Sequence, residues 1–282
     1  MSSTSVGQQR ARQFSWRPWK EILQLVASHW SNDNPDLTLP HHGASTTRSR
    51  VVMDMGCGTG DVTSLLQKEL ANCKAMGVDQ DPEMLKWARQ HYPSIPFHAS
   101  SLTDSFSLTL DNLGMTEPCD LIWASFTVQY FLKDLPQLLQ HWSTLLKPQG
   151  LLVLIETNGL FSIHQPQSQE ATRAWQEMEE ALRDQDGYDT QAGQKLAKII
   201  KETSMFEILQ EQTWQDAEFA FEGPAPPEIL QAWEQRFHRM TFPLQYFGEA
   251  RLQELQQEFL ECLQNPHHHC STGLAVMVAK KK

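Results

Sequence analysis

The residues best placed to do chemistry fall in one short run, Asp54-Met55-Gly56-Cys57-Gly58-Thr59-Gly60, preceded by Val51-Val52-Met53. An acid closing an apolar stretch, then glycine at every second position, reads as a buried strand ending in a tight loop, with a helix beginning near Asp61. Without side-chain bulk at Gly56, Gly58 and Gly60, the loop backbone can lie directly against a ligand. The spacing differs from the G-x-G-x-x-G of dinucleotide binders, and no Lys-Ser/Thr pair follows as in a phosphate-cradling loop. By itself the run also suits a plain strand-turn-helix connection. The next stretch, Lys74-Ala75-Met76-Gly77-Val78-Asp79, narrows the choice. It ends in an acid about twenty residues after the glycine loop, where an α/β nucleotide site puts its ribose-binding carboxylate. Asp81, followed by Pro82, suits the cap of the next helix better than Asp79 does, which leaves Asp79 for a ligand.

The elements that must position these groups alternate along the chain. Strands are predicted at 50–55, 74–79, 95–99, 119–124 and 150–156, and helices at 61–71, 82–92 and 134–146. Such alternation implies a parallel sheet with helices on both faces, and ligands then sit beyond the carboxyl ends of the strands. Further on, helices are predicted at 167–184, 190–203, 226–240 and 248–263, and strands at 205–214 and 271–280. Before the first strand, Trp16, Trp19, Ile22, Leu23, Val26 and Trp30 follow helical spacing. Residues 1–12 are polar and 31–49 form a polar linker.

Four segments in order give the chain a family likeness: Asp54 to Gly60, Gly77-Val78-Asp79, Cys119-Asp120-Leu121-Ile122-Trp123-Ala124, and Leu145-Leu146-Lys147-Pro148-Gln149-Gly150. On these it resembles the class I S-adenosylmethionine-dependent methyltransferases, from about Arg50 to about Glu156. The resemblance implies an α/β fold: a doubly wound, mostly parallel seven-stranded sheet with helices on both faces, here with an α-helical cap. It implies S-adenosyl-L-methionine as cofactor, with Asp54 holding the methionine amine directly or through water and the backbone of Gly56, Cys57, Gly58 and Gly60 close by. Asp79 would take the ribose hydroxyls and Gln80 or Met84 would flank the adenine. Ser101 stands where many members carry an acid for the adenine amino group, a departure from the pattern. Ala124, Ser125 and Phe126 would line the methionine end, and Gln129 and Tyr130 would face the transferred methyl.

The implied organisation is a tail, lid helix and linker (1–49), a cofactor-binding core (50–214), a helical cap insertion (215–270) and a last core strand with a basic tail (271–282). Trp19 of the lid helix and Tyr130, Trp233, Phe237 and Tyr246 are the expected acceptor contacts, because rigid aromatics suit a small-molecule pocket, though most aromatics simply pack into cores. For a general base, His164 and His238 are candidates among eleven histidines, and Glu156, ending the fifth strand, could orient an amine or hydroxyl. A carboxylate acceptor would instead need cations, for which Arg236, Arg239 and Arg251 are available.

A net charge of −11 argues against nucleic acid and anionic membranes as partners. No run of 18 apolar residues is present to span a bilayer. No apolar signal core opens the sequence, and five dispersed cysteines without a C-x-x-C pair suit a reduced cytoplasmic setting. His267-His268-His269-Cys270 is read as a loop before the last strand and no metal is expected, since adjacent side chains diverge and the sequence shows no second ligand cluster at zinc spacing. The expected activity is methyl transfer by in-line displacement to an N, O or S atom of a small molecule, in a monomer or homodimer. Two rivals remain: a protein or peptide methyltransferase, and a non-catalytic cofactor-binding or interaction protein.

Overall fold

The computed structural model describes residues 17–32 and 49–282; Trp16, the 1–12 tail and nearly all of the 31–49 linker lie outside them. In chain order the elements are α1 (Trp19–Asn32), β1 (Arg50–Met55), α2 (Asp61–Glu69), β2 (Cys73–Asp79), α3 (Pro82–His91), β3 (Phe97–Ala99) and β4 (Cys119–Ser125). Two single 3-10 turns, Val128–Tyr130 and Leu132–Asp134, lead to α4 (Leu135–Leu145) and β5 (Leu146–Glu156). There follow β6 (His164–Gln165), α5 (Gln169–Asp186), α6 (Gly193–Thr203), β7 (Phe206–Trp214), α7 (Pro227–Arg239), α8 (Thr241–Phe247), α9 (Glu249–Gln264), β8 (His269–Cys270) and β9 (Leu274–Lys281).

Seven strands form one sheet in the order β3-β2-β1-β4-β5-β9-β7. Strands β1 to β5 pair in parallel, and β9 alone runs against its neighbours β5 and β7. The central strands are continuous apolar runs because both of their faces are covered. One face packs against Leu135, Leu139 and Trp142 of α4 and Leu196 and Ile200 of α6. The opposite face, built from Val52, Leu121, Trp123, Val153 and Val276, is covered by α1 and α2. The stripe Trp19, Ile22, Leu23, Val26 and Trp30 is therefore buried against the sheet, with Trp19 and Trp123 rings 6.2 Å apart. The expected lid helix is a sheet-covering helix whose N-terminal end alone reaches the cleft described below.

The cap has its own apolar centre and draws in α5, which the sequence reading assigned to the core. Phe161 stacks on Trp175 of α5 at 4.5 Å and meets Phe237 at 5.2 Å and Phe259 at 5.4 Å. Trp233 is fully buried in the same cluster and its indole N–H donates to the Glu218 carbonyl at 3.1 Å. Helix α8 was not anticipated, because Pro243 reads as a breaker; it lies in the first turn, where no intrahelical N–H bond is required.

Phe237 is buried in this cluster, its ring against Phe161, Trp175 and Phe259, so Phe237→Ala is expected to cost about 3–5 kcal/mol of folding stability, the range for emptying a core phenylalanine. Urea unfolding checks this; a loss below about 1 kcal/mol would take Phe237 out of the core.

Candidate cofactor and acceptor site

The carboxyl ends of β1, β2, β4 and β5 open into one cleft of about 970 Å³. Its lining includes Gly56, Cys57, Gly58, Asp79, Gln80, Ser101, Ser125, Phe126, Gln129 and Tyr130 among the anticipated residues. The glycine loop is shaped by close approach. Gly56 has φ +78°, and a Cβ there would fall 2.4 Å from the Thr127 hydroxyl. The Gly58 N–H donates to Asp79 Oδ2 at 2.8 Å, and the Asp81 N–H donates to Asp79 Oδ1 at 2.9 Å. Each Asp79 oxygen thus has one fixed donor and lone-pair capacity left for a ligand hydroxyl. Asp81 caps α3, accepting from the Glu83 and Met84 N–H groups.

Asp54 is buried and does not line the cleft; its Oδ2 accepts from the Thr63 hydroxyl at 2.6 Å. Burial pushes its carboxyl up to about 7, Asp79 adding to the shift and the Thr63 bond opposing it. A cation brought near would favour its charged form. Burial also drives the Cys57 thiol far above its ordinary range, which keeps it un-ionised and un-nucleophilic. Gly60, Met84 and Ala124 are buried behind the lining and shape the loop, α3 and β4 instead. Ser101 lies at the cleft with its hydroxyl 3.0 Å from that of Thr103.

The turn after β4 is held from behind. Phe126 adopts φ +54°, a left-handed conformation unusual for a bulky residue. Glu156, expected to orient an acceptor, faces this turn: its Oε1 accepts from the backbone N–H groups of Thr127, Val128 and Gln129 at 2.8, 2.6 and 3.3 Å. It is a positioning residue for the turn. Gln129 is likewise engaged, its amide donating to the Phe126 carbonyl and its oxygen accepting from Thr157. Tyr130 is 56% exposed and packs edge-on to Tyr188 at 4.8 Å.

The remaining wall comes from residues far apart in sequence. Arg17, Trp19, Tyr188, Phe219, Arg236 and Arg239 all line the cleft. Both Arg17 terminal nitrogens are engaged, one on each Asp216 oxygen at 3.0 Å and the other on Glu218 at 2.7 Å, and Arg236 pairs with the other Glu218 oxygen. Burial pushes the Glu218 carboxyl up, but Arg236 and Arg17 outweigh it and hold the group below its ordinary range. The Phe219 ring lies 4.4 Å from the Arg17 guanidinium and 4.6 Å from that of Arg236, cation–π distances both. Trp233 and Phe237 are absent from this lining because the inward face of α7 commits them to the cap core, while Arg236 and Arg239 share its cleft-side face. Tyr246 packs on Phe242 and Phe247 at the surface. His238 is exposed, and His164 is fully buried against His268, so neither candidate base reaches the cleft. Arg251 pairs with Glu170 and Glu254 instead. Arg17 and Tyr188 carried no sequence signal, since neither stands in a motif.

Residues 53–152 match a methyltransferase-domain family profile. Trans-aconitate 2-methyltransferase of Escherichia coli is 31% identical over 137 residues, 44% of this chain and 50% of that protein. The Azoarcus sp. enzyme of the same name is 35% identical over 107 residues, 36% of this chain and 37% of that one. The chain thus spans about half or less of the curated relatives it matches. Among solved structures, phosphoethanolamine N-methyltransferase 2 of Haemonchus contortus, in complex with S-adenosyl-L-methionine, shares the fold at TM-score 0.51 and 17% identity, covering 93% of this chain and 52% of that one. Residues 53–152 thus form a methyltransferase domain, its ordered motifs and sheet order are those of the class I S-adenosylmethionine-dependent fold, and the cofactor is S-adenosylmethionine. The residues present fit that group: a glycine cradle that a Cβ at Gly56 would fill, and a carboxylate with open lone pairs at Asp79.

Two outcomes follow. Asp79→Ala removes a charged acceptor from the cleft and is expected to weaken S-adenosylmethionine binding by about 1.5–3 kcal/mol, roughly tenfold to a hundredfold, by calorimetric titration; unchanged affinity in a folded variant would remove Asp79 from the site. Glu156 provides a pH test. Burial raises its carboxyl from an ordinary 4.5 to about 8, against the three N–H bonds that favour the charge. The folded state therefore keeps a proton that the unfolded chain has lost between these values. Its contribution to stability is present below pH 4.5 and falls as pH rises towards 8. Glu156→Gln has no such proton, so wild-type stability minus variant stability should decline with pH across that window, at a limiting slope of about 1.4 kcal/mol per pH unit. Parallel stability profiles would show that Glu156 is ionised throughout.

Proposed function

We propose that the protein transfers the methyl group of S-adenosylmethionine to a carboxylate oxygen of a small organic acid. The observation that carries this reading is the guanidinium wall: Arg17, Arg236 and Arg239 line the cleft beside Tyr130 and Tyr188, while the counter-charges Asp216 and Glu218 are buried outside the lining. A guanidinium fork matches a carboxylate, and pinning by buried acids fixes Arg17 and Arg236 in advance of binding.

The cofactor supplies an electrophilic methyl on a sulfonium. The chain's part is to align and dry the partners, and alignment is worth up to about 7–11 kcal/mol in well-oriented systems. Arg239 and Arg236 hold the acid, and Phe126, Leu160 and Phe219 supply apolar surface that excludes water. A carboxylate is already ionised at neutral pH and needs no base. That requirement suits this cleft, whose lining among the described residues includes no histidine. The relatives named for trans-aconitate, itself a small carboxylate, point to the same chemical class.

The test is transfer of labelled methyl from S-adenosylmethionine to a panel of small di- and tricarboxylates, with amines, thiols and basic peptides alongside. Carboxylates are expected to be methylated, and Arg239→Gln to raise KM for the acid at least about tenfold while cofactor affinity stays within about threefold, a difference under roughly 1 kcal/mol. Transfer to amines or peptides but not to acids would overturn the reading, as would tight cofactor binding with no acceptor among the acids.

A further inference from the structure

Outside the cleft, one group of side chains is arranged in a way that neither the fold nor methyl transfer uses. The two-residue strands β6 and β8 pair with His164 opposite Cys270. This brings His164 to the 267–270 run, whose last two residues form β8. His164 Nδ1 lies 3.0 Å from His268 Nε2 and 3.5 Å from Cys270 Sγ, and the three ligand atoms all lie within 4.8 Å of one another. From these residues we propose a zinc site formed by His164 Nδ1, His268 Nε2 and Cys270 Sγ.

Three features support it. The first is spacing. With Zn–N near 2.0–2.1 Å and Zn–S near 2.3 Å, tetrahedral geometry sets N···N at about 3.3 Å and N···S at about 3.6 Å. The His164–His268 and His164–Cys270 separations need only a few tenths of an ångström of adjustment, and the His268–Cys270 pair lies within 4.8 Å. The second is the direction of the lone pairs. His268 Nδ1 lies 3.1 Å from the Gly223 carbonyl, which can only accept, so Nδ1 carries the proton and Nε2 offers its lone pair inward. A carbonyl behind the far nitrogen is also what orients a metal-bound imidazole. The third is burial without a partner. His164 is fully buried, and its Nε2 has no hydrogen-bond partner. In the metal-free state its Nδ1 must donate to His268, which leaves Nε2 as a lone pair among Trp233, Phe221 and Phe259. On zinc binding the protons redistribute: the Cys270 thiol proton leaves to solvent, Nδ1 gives up its proton to coordinate, and Nε2 takes one up as N–H.

Two histidines and a thiolate are nitrogen and soft sulfur donors, a set that suits zinc over magnesium or calcium. The three side chains supply three of zinc's four ligands and leave one position for water. The site ties the segment leaving β5 to the segment entering β9, where the cap insertion returns to the sheet, and it sits against the cap's aromatic centre. It is distinct from the methyl-transfer cleft, whose lining contains none of the three.

The test uses the full chain, stripped with chelator and titrated with Co2+ as a spectroscopic stand-in and with Zn2+. One Co2+ per chain with a thiolate-to-cobalt absorption band is expected, and Zn2+ should displace it and raise the melting temperature. Cys270→Ser should abolish the band and the thermal shift while S-adenosylmethionine affinity stays within about threefold. His268→Gln should weaken metal binding at least about tenfold, and it decides the matter if Cys270→Ser does not fold. His269→Gln, at an exposed neighbour, should change nothing. Absence of a thiolate band, a band surviving Cys270→Ser, or equal loss in His269→Gln would each overturn the site.

Discussion

The interaction on which the rest of the active face depends is the buried ion cluster of Arg17, Asp216, Glu218 and Arg236. Its four members come from the residues just before α1, from the turn after β7 and from the last turns of α7. Desolvating four charged groups is costly, and such a cluster is tolerable only when geometry and hydrogen bonding are nearly complete. Here they are: Asp216 also accepts from the Glu218 and Phe219 N–H groups, and both Arg17 terminal nitrogens are engaged. A cluster of this kind adds little net stability, but it penalises every arrangement that separates its members. It thereby fixes the start of α1 and the cap helix α7 in one register over the open edge of the sheet.

A second constraint works from inside the sheet. The β4 turn carries Phe126 in a left-handed conformation, a strain of order 1–3 kcal/mol that persists only where the surroundings over-determine it. They do so from two sides. Glu156 gathers three successive N–H groups of the turn, and Thr127 presses on Gly56, where no side chain could fit. The strained turn and the glycine loop are thus mutually supporting, and both walls of the cleft are rigid before any ligand arrives. The buried Glu156 carboxyl is part of this support, which explains why a residue ideally placed at a strand end does not point at a substrate.

The half of the cleft built from Gly56, Gly58 and Asp79 was legible in the sequence because its requirements are local. A tight loop demands glycine, a strand end presents an acid, and both fall within about twenty residues at a spacing set by one strand-helix-strand unit. Element order and type were legible for the same reason, each strand being a continuous apolar run. Acceptor contacts were not. Trp233 and Phe237 carry the same residue signal whether they face a pocket or a core, and only the packing of α5 into the cap decides for the core. Arg17 and Tyr188 stand in no pattern at all; they reach the cleft through contacts spanning up to 201 positions. His164 likewise meets His268 across 104 positions, which no local reading of the histidine run can anticipate.

This division has a chemical logic. The cofactor half of the cleft presents mostly loop backbone and one carboxylate, so it needs few residue types and tolerates wide change elsewhere. Acceptor recognition needs charge and shape matched to one molecule, which a sheet edge cannot supply. In this chain the part of the cleft wall proposed for that task comes from segments outside the central β1–β5 unit: the residues before α1, the end of α5, the turn after β7 and the cleft-side face of α7. Substitutions there that preserve the Arg17–Glu218–Arg236 register can alter the cleft wall without disturbing the glycine loop, whereas those that break the register move three segments at once. Selectivity and stability are therefore inseparable at Arg17 and Arg236, which carry the pairing.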